Sequence, residues 1–211
     1  MSALPCARFL KLKTVPRINR CRCLFIKLTT SPFIKARNAI FFVSAGCLFG
    51  VLSEESCSWI PDPGANSIAV TVWHMGRIFD VYLTQHIRGE AASEERWFRG
   101  GWAERTHYDP RGKGRNEAGM LTGYTREEVA MMPPFSKEQV LGYLDDVYDT
   151  VRTFLEATPM EDLLARAAGF QGGFSRYQVV QMALLDNIRH LGEVFAIHAR
   201  RDPAQHAALW N

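Results

Sequence analysis

Residues 179–202, VVQMALLDNIRHLGEVFAIHARRD, carry the pattern on which the fold turns. At 100° per residue, Val179, Ala183, His190, Val194 and Ile197 share one side of a helix, while Gln178, Arg189, Glu193 and Arg200 mark the solvent side. The spacing predicts one long amphipathic helix. Its apolar side is interrupted by Asp186 and His190, four residues apart. A polar group that faces a core needs a partner, because burying it unpaired costs about 1–3 kcal/mol.

Working upstream, three more segments read as helices. KEQVLGYLDDVYDTVRTFLEA, 137–157, places Val140, Tyr143, Leu144, Val147, Val151 and Phe154 at helical spacing, and the preceding SKEQ is a capping box. IAVTVWHMGRIFDVYLTQHI, 68–87, can be capped by Asn66 or Ser67 and stops at Gly89; its projection groups His74 with Val70, Ile78 and Val81. The uncharged run AIFFVSAGCLFGVLS, 39–53, is shorter than the roughly 20 residues that span a bilayer as a helix. We read it as a buried first helix; an export signal, a membrane anchor and an organelle transit peptide are the alternatives.

Between the second and third helices lies a long connection, 89–134, rich in Gly, Arg and aromatics. Its TREE at 125–128 is a further helix start. Thr158 and Pro159 open a short helix to about Ala168. No stretch alternates apolar and polar residues as a strand would. The expected fold is therefore all-α: a four-helix bundle, antiparallel or partly crossed, with a long crossover between its second and third helices. The chain divides into a basic, flexible leader at 1–38, the bundle at 39–202 and a C-terminal tail at 203–211.

Charge is unevenly spread. The net charge is +3, yet all nine Lys and Arg of residues 1–53 stand there without an acid, leaving the other 16 basic residues to face all 22 acidic ones. A net acidic body argues against nucleic acid as partner. The five cysteines, Cys6, Cys21, Cys23, Cys47 and Cys57, cluster at one end and cannot staple the rest, which suits a reducing, cytoplasmic compartment. Membrane association through 39–53 is the alternative. G-x-S-x-G elbows, phosphate loops, His-Glu-x-x-His pairs and dinucleotide fingerprints are all missing.

Two inward histidines on different helices, His74 and His190, with a carboxylate one turn from the second, can converge on one cation. The i, i+4 spacing sends Asp186 and His190 off the same helix face. Imidazole and carboxylate suit Zn, Ni, Fe or Mn, and three protein ligands leave a position for water or substrate. The competing reading is a pair of core histidines satisfied by hydrogen bonds, with Asp186 in a surface ion pair to Arg189. Glu193 is a further candidate ligand at i+3 from His190, at an angle nearer solvent. His86 and His198 stand near helix ends, His206 in the tail and His107 in the connection, where a solvated imidazole is ordinary.

PGANSIAVTVWHMGRIFDVYL, 63–83, together with DNIRHLGEVFAI, 186–197, resembles the DinB-like (YfiT-like) superfamily of bacterial four-helix proteins. The resemblance covers roughly residues 45–202. It implies the same bundle and a divalent metal held by one histidine of the second helix and two of a later helix in a His-x-x-x-His pair. His74 matches the first and His190 the last, whereas Asp186 occupies the place of the middle histidine. The reactions it implies are metal-dependent hydrolysis, or transfer and isomerisation with a low-molecular-weight thiol, on a small-molecule substrate. The 89–134 connection, with Trp97, Trp102, Arg105 and Tyr108, would then roof the site. A non-catalytic bundle that binds a partner or forms a homodimer, its metal site degenerate, is the other function compatible with these residues.

Overall fold

The computed structural model describes residues 49–209. The leader 1–38 and most of the first expected helix lie outside them; residues 49–51 are helical. The elements that follow are α1 (Glu54–Ser58), α2 (Ile68–Val81), α3 (Arg96–Arg99), α4 (Trp102–Thr106), α5 (Arg126–Ala130), α6 (Lys137–Ala157), α7 (Met160–Leu164), α8 (Arg176–Arg201) and α9 (Pro203–Ala208). Among the described residues there is no strand, only two isolated bridges. The all-α expectation is met.

Local chemistry sets the helix starts. The Ser67 hydroxyl accepts the Val70 amide and so caps α2. Ser136 with Gln139, Thr125 with Glu128 and Ser175 with Gln178 form reciprocal capping boxes that open α6, α5 and α8. The last of these was not read from the sequence. After Val81 the chain continues as a π-helix, Tyr82–Arg88, and ends on Gly89 in the left-handed conformation.

α2 is the axis of the molecule, packed against both α6 and α8. Thirteen of its fourteen residues are buried, so the one-sided projection drawn from the sequence understates its role: it has no solvent face. Gly76 lets α6 come close, since a Cβ there would stand 2.6 Å from the Tyr143 ring. α6 and α8 are joined across the core by Tyr148, whose hydroxyl donates to Asn187 Oδ1 at 2.9 Å.

The crossover is anchored by its aromatics. Trp97 and Tyr108 meet Trp73 edge-on at 5.9 and 5.7 Å, and Phe135 stacks on Trp73 at 5.6 Å. Each such ring removes roughly 150–250 Å² from water, which offsets part of the entropy lost in ordering a long connection. Asp80 adds a polar anchor, its carboxylate accepting the amides of Arg96 and Trp97 at 2.8 Å each. No helix among the described residues is long and apolar enough to cross a membrane.

Candidate metal centre

α2 delivers His74 and α8 delivers Asp186 and His190 to one point. His74 Nε2 lies 3.2 Å from His190 Nε2 and 3.5 Å from Asp186 Oδ2, and His190 Nε2 lies 3.6 Å from the same oxygen. Four ligands at about 2.1 Å around a tetrahedral ion stand about 3.4 Å apart, so the three separations match the edges of such a polyhedron. Among the described residues this is the one group of three or more His, Cys, Asp or Glu so placed.

The hydrogen-bond partners show which ring nitrogens face inward. His74 Nδ1 contacts the Met120 backbone carbonyl, and His190 Nδ1 lies 2.8 Å from Glu193 Oε2. Both partners are acceptors, so each ring donates from Nδ1 and turns its Nε2 toward the other. The third inward atom, Asp186 Oδ2, is buried with no hydrogen-bond donor. Two imidazole nitrogens and a carboxylate oxygen thus converge on one point, a donor set that suits a divalent cation. A carbonyl or carboxylate behind each imidazole is also the arrangement that orients metal-bound histidines.

Burial works to raise the Asp186 carboxyl, but His74, His190 and Arg189 outweigh it and hold it below its usual range. Asp186 thus serves two partners: Oδ1 takes Arg189 at 2.8 Å, and Oδ2 faces the histidines. The ion pair and the cluster, alternatives in the sequence, coexist. The hydrogen bond from His190 keeps the Glu193 carboxyl low. Glu193 therefore backs the His190 ring through Nδ1 and is not a ligand on the inward side. His74 is buried, whereas Asp186 and His190 are part exposed. Tyr82, on the π-helical turn, is raised by burial and by the nearby Asp186 carboxylate, and stays a neutral phenol.

Several sequence expectations are corrected. Trp97, Trp102 and Tyr108 do not roof the site: they pack into the core against Trp73, Phe135 and Tyr143, and Arg105 lies over Trp102 at 4.2 Å. What the crossover supplies to the site is the Met120 carbonyl, which a side-chain motif cannot reveal. His198 is fully buried rather than solvated, and His206 sits on α9 with its Nδ1 3.3 Å from that of His198. His107 is exposed and does not approach the site. Asn187, beside Asp186, is turned into the core by Tyr148 and the Ala183 carbonyl.

These features define an all-helical protein with a His, Asp, His cluster between α2 and α8. The sequence profile of the DinB superfamily matches residues 48–194, and the chain belongs to that superfamily. A crystal structure of a conserved protein from Enterococcus faecalis is similar in fold, with a TM-score of 0.64 at 15% identity over 81% of this chain and 97% of that one. No curated protein matches the sequence.

Proposed function

We propose that the protein is a divalent-metal enzyme in which His74, Asp186 and His190 hold Zn, Ni, Fe or Mn and leave a position for water, a low-molecular-weight thiol or a small-molecule substrate. The observation that carries this reading is the convergence of two Nε2 atoms on the Asp186 Oδ2 atom, which is buried without a hydrogen-bond partner. Bound there, the ion supplies Lewis acidity that brings a coordinated water or thiol toward a neutral pKa. Met120 and Glu193 take the Nδ1 protons and keep both rings aimed inward. Asp186 adds one negative charge, so a divalent centre carries less net charge than with three imidazoles. Tyr82 remains a neutral hydrogen-bond donor within electrostatic reach of Asp186. Hydrolysis and thiol-dependent transfer or isomerisation are the reactions this donor set serves.

A second reading has one observation in its favour: at 3.2 Å, a proton between the two Nε2 atoms would also satisfy them, with Asp186 and Glu193 balancing the imidazolium. The bundle would then be a binding or dimerising module without a metal. Elemental analysis of purified protein, with a His74→Ala, His190→Ala double variant alongside, separates the two. Stoichiometric metal in the wild type and its loss in the variant are expected. Equal metal in both, or a wild type that binds none and whose melting ignores chelator and added Zn or Ni, defeats the enzyme reading.

A further inference from the structure

Arg77 is fully buried, and the metal centre described so far makes no use of it. It leaves α2 one turn after His74. Its guanidinium donates from Nε to the Gly119 carbonyl at 3.0 Å, from Nη2 to the Ala118 carbonyl at 3.4 Å and from Nη1 to Glu95 at 2.7 Å. The next carbonyl along the chain is Met120, the one that takes the Nδ1 proton of His74. Three consecutive carbonyls of the crossover are thus gripped from one helix, two by Arg77 and one by the imidazole.

That carbonyl row has little regular structure to fix it. Gly119 and Leu121 both have positive φ, at 62° and 74°. A Cβ on Gly119 would stand 2.5 Å from the Pro110 carbonyl oxygen, so the backbone is threaded between Pro110 and Arg77. The guanidinium is itself held. Asp80 lies 3.6 Å from Nη1 and fixes the amides of Arg96 and Trp97, presenting Glu95, the residue before them, to Arg77. A planar fork satisfied on every side keeps its geometry where a flexible ammonium would not.

We infer that Arg77 is a positioning residue of the metal centre: by fixing the carbonyls of Ala118 and Gly119, it sets where the Met120 carbonyl meets His74. It thereby sets the direction and basicity of the Nε2 atom on the inward side. The inference rests on the metal-binding reading above. An Arg77 that only tied down the crossover would leave metal affinity unchanged as long as the protein was folded.

The test is a titration of the full chain with Zn and Co(II) against a competing chelator, with the Co(II) visible spectrum recorded and folding checked by circular dichroism. Arg77→Lys keeps the charge beside Glu95 and Asp80 but cannot fork onto two carbonyls. Gly119→Ala displaces the same carbonyls and leaves the buried charges alone. Arg96→Gln is the control, because it frees the crossover from Asp146, now held at 2.7 Å, without touching the row. Arg77→Lys and Gly119→Ala are expected to weaken Zn binding about tenfold or more and to shift the Co(II) bands, with Arg96→Gln like wild type. Wild-type affinity and spectrum in Gly119→Ala, or in folded Arg77→Lys, overturn the inference, as does an equal loss in Arg96→Gln. Should Arg77→Lys unfold, Gly119→Ala decides. A wild type that binds neither ion removes the metal reading itself, whereas binding that these variants leave untouched removes only the role of Arg77.

Discussion

Glu193 accepts the Nδ1 proton of His190 at 2.8 Å from one turn further along the same helix. The carboxylate therefore fixes both the tautomer and the tilt of the ring whose other nitrogen faces His74 and Asp186. Replacing it with Gln keeps an acceptor of the same shape but removes the charge that makes the imidazole more basic. Glu193→Gln is expected to lower Zn affinity by about tenfold while leaving the fold intact, read by competition with a chelator.

The Asp186 Oδ2 atom lies within 3.6 Å of both imidazoles. Asp186→His places two histidines four residues apart on α8 and should retain a bound metal, with a Co(II) spectrum altered by the exchange of oxygen for nitrogen. Asp186→Ala should lose it, and loss of metal from both variants would count against a site built for a cation.

The acid response of stability follows from the same carboxyls. Asp186 and Glu193 titrate lower in the folded protein than in the unfolded chain, so the unfolded state takes up more protons as pH falls. Their contribution is complete above the ordinary carboxyl value of about 4 and is lost as pH drops below it through the folded values. Urea unfolding of metal-free protein across that range should show this decline, with a shallower slope in Glu193→Gln.

Tyr148 and Asn187 tie α6 to α8 directly behind Asp186, and Asn187 is fully buried. Tyr148→Phe leaves the Asn187 oxygen without that donor in a dry environment, at a cost of about 1–2 kcal/mol. Denaturant unfolding should report that loss, and a variant as stable as wild type would mean that the tie contributes nothing.

Cys57 is buried and unpaired, and burial pushes its thiol up to about 11. The thiolate is the reactive form, so native protein at pH 8 should resist alkylation at Cys57 and unfolded protein should not. Peptide mapping by mass spectrometry distinguishes this position from the other four cysteines. Rapid native modification would place Cys57 at an accessible site.

Much of the helical structure is legible in one dimension, because helix periodicity and caps are local. Val140, Tyr143, Leu144, Val147 and Val151 repeat at helical spacing and are buried in α6, and the Ser136 and Thr125 capping boxes stand where their sequences place them. The inward angle of His190 follows from the same geometry. The crossover was legible only as an irregular, aromatic-rich stretch. Whether Trp97 and Tyr108 cover a site or fill a core depends on which side of α2 they meet, and no spacing along the chain encodes that. The burial of His198 escaped for a similar reason: α9 folds back to place His206 beside it.

By itself, then, the sequence determined the helices, their caps and the turn of α8 that presents Asp186 and His190 together, all of which depend on residues within a few positions of one another. Only the tertiary structure decided that His74 meets that pair at 3.2–3.5 Å, that Met120 lends it a backbone carbonyl, and that Arg77 holds the carbonyls beside it. Those contacts join residues 41 to 116 positions apart, and their geometry is set by how α2 packs between α6 and α8.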